Sequence, residues 1–299
     1  MRNSSETLQD PTQNVSRRRL AALSLSAAAS ASLLSTTLAV TEAKAQAAST
    51  GRLDRILKSG KLRVGQFLQY KPYGFKTASG EPDGFDVEFT KMLAADMGIT
   101  AEFIDNTWEG IIPALLSDKF DLITAHMAVT IKRSLAIQFA DPHSFTTPGF
   151  IFRQKDAGRF SSLEQFNDPS VTISILIQDA VHATLQRFFP KAKVIDFNSA
   201  QEALLAVQTN KVDVSAAEVS FLTQYAKEHE GLSVRAVDYP GSANLAAIAM
   251  LAGPDNLHLL TFLNTWVKFF YWTGRFEPLW QKWVPGVPLP KVEKFMAPV

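Results

Sequence analysis

Residues 120–133 read FDLITAHMAVTIKR and join a strand pattern, a loop and the start of a helix. The apolar residues at 120–124 predict a short buried strand. Residues 125–129 form the predicted loop at its carboxyl end, Thr130 is a candidate helix cap, and Arg133 falls one turn into the helix. A strand end, free backbone N–H groups and a guanidinium can together bind a carboxylate. For this stretch alone, a capped helix with an exposed arginine is the simpler interpretation.

Strand and helix patterns alternate on both sides of this stretch. Strands are predicted at 61–67, 100–104, 171–176, 193–195 and 212–216. Helices are predicted around Leu53, Ile56 and Leu57 up to Gly60, from Gly84, from Trp108, at 179–188 and at 200–207. This alternation predicts an α/β fold whose ligand site lies at the carboxyl ends of the strands.

The composition excludes several classes of function. The chain has 299 residues, 46% of them hydrophobic, which is enough for one large core or two smaller ones. A formal net charge of +1 provides no basic surface for nucleic acid. The absence of cysteine excludes disulfides, thiolate metal sites and cysteine nucleophiles, and the five histidines lack the spacing of a helical zinc motif. There is no Gly-rich phosphate loop, so the sequence predicts no cofactor.

The N-terminal segment has the pattern of an export signal. The basic sequence SRRRL at Ser16–Leu20 precedes an Ala/Ser/Leu run and small-x-small sequences. Its arginines resemble those of the twin-arginine pathway, which carries folded proteins across the bacterial inner membrane. We therefore expect residues 1–45 to be removed by cleavage near Ala45 or Ala47, leaving a periplasmic protein. A permanent membrane anchor is the alternative, which the many Ser, Thr and Ala residues disfavour.

Several motifs follow one another in a fixed order along the rest of the chain. They are KLRVG at 61–65, GFDV at 84–87, WEGIIPAL at 108–115, TIKR at 130–133, FADP at 139–142, KVD at 211–213, GRF at 274–276 and KW at 282–283. In this order they resemble the periplasmic amino-acid-binding proteins of ATP-binding-cassette importers, the bacterial extracellular solute-binding proteins of family 3. The resemblance spans nearly all of the predicted mature chain.

The resemblance implies a two-lobed α/β fold of the type II periplasmic-binding-protein class. Each lobe is expected to be a mixed sheet flanked by helices, and two hinge crossings join the lobes. Lobe 1 is predicted to comprise 49–145 and 242–299, and lobe 2 to comprise 146–241. The crossings contain TTPG at 146–149 and YPG at 239–241, whose Pro and Gly residues are typical of hinges.

The resemblance also implies roles for charged and aromatic residues. Arg133 matches the family's arginine for the ligand's α-carboxylate, and Glu218 lies where the family has the acid for the α-ammonium, usually an Asp. Glu218 could instead cap a helix, and Thr130 could either cap its helix or bind the ligand. Trp108 and Tyr70 match aromatic positions that flank the bound amino acid.

Four positions depart from the family pattern. Ala128 stands where many relatives have Ser or Thr, so only its backbone N–H remains for the carboxylate. His126 occupies a loop position that is usually small, and its side chain could project into the ligand site. Gln178 and Asp179 follow a strand where relatives commonly have Gly-Thr, so we expect them to shape the pocket. Asp179 either caps the next helix or adds a second acid that suits a cationic ligand.

The resemblance implies a binding protein and not an enzyme. We expect a monomer that closes two lobes on an amino acid or related small zwitterion and docks on an inner-membrane ATP-binding-cassette permease. Two alternatives stay open. Cyclohexadienyl dehydratases are similar to these binding proteins, and His126, Asp179 and Glu218 could supply acid–base groups for such a reaction. A periplasmic sensory protein without a transport role would have the same sequence features.

Overall fold

Two five-stranded sheets form the framework of residues 51–287, the part of the chain that the computed structural model describes. The strands are β1 (Lys61–Gln66), β2 (Gln69–Tyr70), β3 (Gly74–Lys76), β4 (Pro82–Asp83), β5 (Thr100–Asp105), β6 (Leu122–Ile123), β7 (Gln138–Phe139), β8 (Ser144–Thr146), β9 (Pro148–Arg153), β10 (Thr172–Leu176), β11 (Lys193–Phe197), β12 (Val214–Glu218), β13 (Leu232–Ala236), β14 (Asn244–Ala246) and β15 (Ala249–Met250). The helices are α1 (Arg52–Ser59), α2 (Phe85–Asp96), α3 (Trp108–Leu116), α4 (Ile131–Ser134), α5 (Val181–Phe188), α6 (Ala200–Gln208), α7 (Val219–Glu228), α8 (Leu257–Trp272) and α9 (Phe276–Trp283). The predicted export signal lies outside the described residues.

Sheet I has the strand order β5-β1-β6-β15-β7. Strand β1 pairs in parallel with β5 and β6, whereas β15 pairs antiparallel with β6 and β7. Helices α2 and α3 make the connections between the parallel strands, which cannot be joined by a tight turn. The result is a mixed sheet whose parallel strands all end at one edge.

Sheet II has the strand order β11-β10-β12-β9-β13 and repeats the same plan. Strand β10 pairs in parallel with β11 and β12, and β9 pairs antiparallel with β12 and β13. Helices α5 and α6 connect the parallel strands. Each sheet therefore has three neighbouring parallel strands and places loops and helix starts at their carboxyl ends, where ligands bind in α/β folds.

The chain passes from sheet I to sheet II and back along one short antiparallel ladder. Strand β8 pairs with β14, so that Thr146 lies opposite Asn244 and Ser144 opposite Ala246. The first predicted crossing, 146–149, is more ordered than a loop, because β9 already begins at Pro148. The lobe boundaries themselves stay a prediction.

The two sheets have different interiors. Sheet I is covered by α2, α8 and α9. In its interior Phe85 packs edge-to-face against Trp280, and Phe89 packs edge-to-face against Trp266. Sheet II has a core of stacked phenylalanines that includes Phe150 and Phe166. Across residues 51–287, no helix combines the length and the apolar character needed to span a membrane.

Most predicted elements are present, with shifts at their ends. Helix α1 stops before Gly60, whose φ of +68° is the left-handed conformation that glycine adopts easily. The strand predicted at 120–124 is limited to β6, and the strand predicted at 212–216 is β12, which extends to Glu218. The helix predicted from Asp179 begins at Val181, because the Asp179 carboxylate accepts a hydrogen bond from the Val181 N–H.

Candidate functional site

A cavity lies between sheets I and II at the carboxyl ends of their parallel strands. It has about 390 Å³ of empty space, part of which is open to solvent. Seven of the nine predicted site residues line it: Tyr70, Trp108, His126, Ala128, Arg133, Asp179 and Glu218. The two sheets thus bring together side chains from distant parts of the sequence, as the fold prediction required.

Five further lining residues were not among the predicted ones: Phe67, Thr146, Leu176, Ala180 and Val181. Phe67 and Leu176 end predicted strands, so the rule that ligands bind at strand ends could have identified both. Thr146 belongs to the predicted hinge. Ala180 and Val181 carried no signal in the sequence, because their positions depend on where α5 begins.

Arg133 reaches across the cavity from the single turn of α4. Its Nη1 group donates to the Ala128 carbonyl at 2.8 Å, and its Nη2 group donates to the Gln178 carbonyl at 2.9 Å. The guanidinium carbon also lies 5.1 Å from the centre of the Trp108 ring. Burial lowers the Arg133 pKa, although the nearby Asp179 carboxylate opposes this. A guanidinium has five N–H donors, so these two bonds leave others for a ligand carboxylate.

Thr130 and Gln178 do not line the cavity, and both act on Arg133 instead. The Thr130 hydroxyl accepts a hydrogen bond from the Arg133 N–H at 3.2 Å, which is the predicted helix cap. Gln178 has φ of +61° and an exposed side chain, so its contribution is the carbonyl that Arg133 binds. The ligand-binding role expected for Gln178 therefore stays a prediction, and its contribution in the structure is this carbonyl. The left-handed backbone turns the carbonyl toward the cavity and the side chain toward solvent.

Glu218 caps a helix and also lines the cavity. It is 5% exposed and forms the N-cap of α7, where its Oε2 accepts hydrogen bonds from the N–H groups of Ser220 (2.8 Å) and Phe221 (3.0 Å). Its other oxygen, Oε1, accepts a hydrogen bond from the Ser220 hydroxyl at 3.1 Å. Burial raises the Glu218 pKa, and the His126 imidazole and these hydrogen bonds oppose the shift. A capping carboxylate with oxygen lone pairs to spare can still accept from a ligand ammonium.

Asp179 also lines the cavity and bonds to the backbone at the start of α5. Its Oδ1 accepts from the Val181 N–H at 2.8 Å, and the residue lines the cavity. Burial raises the Asp179 pKa, while the Val181 N–H and the Arg133 charge act in the opposite direction. Among residues 51–287, the acidic and histidine side chains form no group of three or more that could hold a metal ion.

Aromatic rings cover one side of the cavity. Tyr70 stacks on Phe221 with ring centres 4.3 Å apart, which links a loop beside sheet I to a helix beside sheet II. Phe67 lies between Tyr70 and Trp108, at 5.8 and 5.6 Å from their ring centres. The Trp108 Nε1–H donates to the Gln178 carbonyl at 3.4 Å. Such rings can cover the stem and the ammonium of a small zwitterion.

His126 and Ala128 form the floor of the cavity on the sheet I side. His126 lines the cavity with φ of +45°, and its ring stacks on Tyr73 with ring centres 3.6 Å apart. Its Nδ1 lies 3.8 Å from Oδ1 of the buried Asp86. Ala128 is buried, and its carbonyl is committed to Arg133. The left-handed backbone explains why a small residue is common at position 126, since residues with a Cβ adopt this conformation less readily.

Two polar contacts connect the sides of the cavity near its rim. Lys71 Nζ lies 2.6 Å from Glu228 Oε1, and the Gln201 side-chain amide donates to the Gln69 carbonyl at 2.9 Å. Lys71 and Gln69 belong to the chain around β2, whereas the other two residues belong to α7 and α6. The loop at 69–73 thus touches both sides of the site.

Comparison with known proteins identifies the family to which this arrangement belongs. The profile of the bacterial extracellular solute-binding proteins, family 3, matches residues 62–286. Cyclohexadienyl dehydratase of Pseudomonas aeruginosa is 32% identical over 125 residues, and the chain spans only 47% of that enzyme's length. That alignment covers 42% of the present chain. The arginine-binding periplasmic protein of Mannheimia haemolytica is 24% identical over 226 residues, which cover 73% of this chain and 88% of the relative.

A solved structure extends the match to the fold. The crystal structure of an ancestral amino acid-binding protein, described as a precursor of cyclohexadienyl dehydratase, is 31% identical and superposes with a TM-score of 0.70. The superposition covers 78% of this chain and 99% of that one. The two mixed sheets, the double passage between them and the cavity at their strand ends are therefore the type II periplasmic-binding-protein fold. The chain belongs to the bacterial extracellular solute-binding proteins, family 3.

Proposed function

We propose that the protein is a periplasmic binding protein that captures an amino acid or related small zwitterion and delivers it to an ATP-binding-cassette permease of the inner membrane. It acts as a monomer and catalyses no reaction. The observation that carries this proposal is the pairing of Arg133 with Glu218 around one cavity, a cation from the sheet I side and an acid from the sheet II side. The export signal predicted at 1–45 supports the periplasmic location.

The ligand's two charged groups have complementary partners in the cavity. Its α-carboxylate accepts hydrogen bonds from the Arg133 guanidinium, and its α-ammonium donates to Glu218. Tyr70 and Trp108 cover the carbon atoms between these groups. Both ends of the ligand are thus bound in a site where few water molecules compete, which strengthens each ionic hydrogen bond.

Closure couples binding to delivery. Sheet I carries strands from 61–139 and 249–250, and sheet II carries strands from 148–236, which supports the predicted lobes, 49–145 plus 242–299 and 146–241. A ligand that contacts both lobes favours the closed arrangement, because a ligand shifts an equilibrium toward the state that it binds more tightly. The permease then recognises the closed form.

Asp179 supports a narrower hypothesis about the ligand's charge. With Arg133, Glu218 and Asp179 ionised, the cavity has one more negative than positive charge, so a cationic or amine-rich ligand balances it. A thermal-shift screen of the common amino acids tests this. Stabilisation by lysine or arginine is the expected result, and stabilisation by neutral or acidic amino acids alone would refute the hypothesis.

The substitution Arg133→Ala tests the carboxylate assignment. We expect ligand affinity to fall by roughly 2–5 kcal/mol, because the carboxylate loses its charged partner in a dry cavity. Isothermal titration calorimetry measures the affinity, and circular dichroism checks that the variant is folded. Lys132→Ala is the matched control, because its exposed side chain precedes Arg133 in the same helix and does not line the cavity. Unchanged affinity in Arg133→Ala would contradict the assignment.

A second candidate function is a dehydratase of cyclohexadienyl substrates. Two observations favour it: the 32% identity to such an enzyme over 125 residues, and the raised pKa of the buried Glu218, which suits a proton donor. Incubation with prephenate or arogenate, followed by ultraviolet detection of an aromatic product, distinguishes the two functions. Product formation that is lost in Glu218→Gln would replace the binding-protein proposal, whereas an absence of product supports it.

A further inference from the structure

A group of buried polar side chains lies directly beneath the cavity on the sheet I side. Asp86, His126 and Tyr73 are each no more than 4% exposed. Both Asp86 carboxylate oxygens, both His126 ring nitrogens and the Tyr73 hydroxyl make no hydrogen bond to any described residue. Folded proteins contain few such groups, so several in one place call for a physical reason.

Asp86 and His126 can only be understood as a pair. The Asp86 carboxylate lies 3.8 Å from His126 Nδ1, within ion-pair distance, and an isolated charge at this depth is strongly disfavoured. Burial raises the Asp86 pKa, and His126 acts against that rise. The other titratable groups that act on the pair are Tyr73, Glu218 and His143. His143 is a neutral neighbour, because burial lowers its pKa to about 3.

The pair has two states without net charge. In the first, an ionised Asp86 faces a protonated imidazole, and both ring nitrogens carry a hydrogen. In the second, a protonated Asp86 faces Nδ1 of a neutral imidazole, whose hydrogen is then on Nε2. An ionised Asp86 beside a neutral imidazole would leave a buried charge without compensation. In both favoured states, therefore, Nε2 carries a hydrogen and is a donor.

The backbone and Tyr73 fix the buried imidazole beside the cavity. His126 lines the cavity, and its left-handed φ of +45° is a conformation that non-glycine residues adopt mainly where the surroundings impose it. The Tyr73 ring stacks against the imidazole with an angle of 16° between the ring planes and thus fixes its orientation. Gly84 allows this packing, because a Cβ there would lie 2.4 Å from the Tyr73 carbonyl oxygen.

We propose that His126 determines ligand specificity by donating a hydrogen bond from Nε2 to a neutral oxygen, a carbonyl or hydroxyl, on the ligand's side chain. Asp86 is the positioning residue that keeps the hydrogen on Nε2. The ligand oxygen is neutral because Glu218 and Asp179 line the same cavity and repel a second carboxylate. The inference rests on the proposed function, since it assumes that an amino acid occupies this cavity.

Pairs of amino acids with similar shapes test the proposal by calorimetry. In each pair one member carries a side-chain oxygen acceptor that the other lacks: threonine and valine, asparagine and leucine, hydroxylysine and lysine. For the pair that binds most tightly to the wild-type protein, we expect a preference of about 10- to 100-fold for the oxygenated member. In His126→Phe the preference falls to about threefold or less, because phenylalanine keeps the stack on Tyr73 but has no N–H.

His143→Phe is the matched control for replacing a buried histidine in the same interior. Its ring centre lies 5.9 Å from that of His126, and it does not line the cavity, so the preference is retained. If His126→Phe does not fold, His126→Gly removes the donor and relieves the left-handed backbone, and the preference is again lost.

The positioning role of Asp86 has its own spectroscopic readout. In the wild-type protein we expect the nitrogen resonances of the His126 ring to show a hydrogen on Nε2, because both neutral states of the pair place it there. In Asp86→Asn this constraint is lost, so the hydrogen can move to Nδ1 and the ratio of affinities within a pair falls. An unchanged Nε2 hydrogen together with an unchanged ratio in Asp86→Asn would refute the role of Asp86.

The possible failures are distinguishable. Equal affinities within every pair, or a preference that survives in His126→Phe, would overturn this inference and leave the proposed function intact. Failure of the wild-type protein to bind any amino acid in the pairs or in a full set of common amino acids would overturn the proposed function and, with it, the inference.

Discussion

The interior of sheet II is built around stacked phenylalanines, whereas the interior of sheet I contains a polar group beneath the cavity. In sheet II, Phe166 stacks on Phe150 and Phe160 with ring centres 4.4 and 4.6 Å apart. The buried Arg153 and Ser174 side chains of sheet II donate to backbone carbonyls. In sheet I, Asp86 and His126 are also buried but have no hydrogen bond to a described residue. These two groups without such bonds thus lie beside the cavity, where a functional reason for them is to be sought.

The two sheets also differ in how they supply polar groups to the cavity. The sheet II side offers Asp179 and Glu218 from helix caps, where backbone N–H groups already satisfy part of each carboxylate. Backbone N–H groups at the start of a helix can stabilise polar atoms at the edge of the sheet without disturbing the core. The sheet I side offers Arg133 from α4 and, in our proposal, His126 from the floor of the cavity, where the buried Asp86 is its partner.

The largest expected effect concerns the stability of the sheet II core. Phe166→Ala should lower the free energy of unfolding by about 3–5 kcal/mol, because a fully buried ring leaves a cavity among the neighbouring rings. Urea denaturation followed by circular dichroism measures it. Phe269→Ala is the control, since Phe269 is 53% exposed and its loss should cost about 0.5 kcal/mol. Equal losses in the two variants would contradict the account of the sheet II interior.

The next effect concerns ligand affinity at the edge of sheet II. Glu218→Gln keeps the shape of the cap and an oxygen for the α7 N–H groups but removes the charge that faces the ligand ammonium. We expect affinity to fall by about 2–3 kcal/mol, since hydrogen bonds to charged groups contribute about this much. Calorimetry with the best ligand of the thermal-shift screen measures it. Glu202→Gln, an exposed acid in the first turn of α6, should leave affinity unchanged. An unaltered affinity in Glu218→Gln would show that Glu218 is a helix cap and does not bind the ligand.

The polar interior of sheet I should make stability depend on pH. His143 is 1% exposed, and burial lowers its pKa from 6.5 to about 3. The unfolded chain therefore binds a proton at His143 as the pH falls below 6.5, while the folded protein does not. Stability is unaffected by this group above that pH and is lost progressively between pH 6.5 and 3, by about 2 kcal/mol from pH 7 to pH 5.

His143→Phe isolates this contribution. The variant should lose less stability than the wild-type protein between pH 7 and pH 5, by about 2 kcal/mol in urea denaturation. The corresponding change in the other sheet, Phe189→Leu, removes no titratable group and should leave the pH dependence as it is. An identical pH dependence in His143→Phe and the wild-type protein would show that His143 is accessible to protons in the folded state.

The fold was largely predictable because it depends on patterns that are local in the sequence. The strand and helix order, the end of α1 at Gly60 and the capping role of Thr130 follow from hydrophobic periodicity and cap chemistry. Arg133 and Glu218 were predictable as cavity residues because the family resemblance fixes their places relative to strand ends. All of these features can be predicted from the sequence without knowing how distant segments pack against one another.

The geometry of the floor was not predictable, because it depends on packing between distant segments. His126 was expected at the ligand site, but its stack on Tyr73 and its partner Asp86 come from β2–β3 and α2. Gln178 was expected to shape the pocket, but the sequence did not indicate that its left-handed backbone would offer a carbonyl to Arg133. Hydrophobic periodicity does not predict a positive φ in a residue other than glycine. The spacing of residues along the sequence does not predict which buried acid will contact a given imidazole.

The smallest expected effect tests whether the contact between the two sides is separate from their interiors. Lys71 and Glu228 join the loop after β2 to α7 at 2.6 Å, but their side chains are 44% and 42% exposed. An exposed pair contributes about 0.2–1 kcal/mol, so Lys71→Gln should weaken ligand binding by a factor of about five or less, and added salt should remove the difference. The control is Lys282→Gln. It breaks the ion pair between Lys282 of α9 and Glu88 of α2, which is equally short but lies within the sheet I side, so ligand affinity should stay unchanged.

Stopped-flow measurement of ligand dissociation checks both variants. If the two variants changed dissociation equally, surface charge in general would be responsible, and the contact across the cavity would have no special part in holding the ligand.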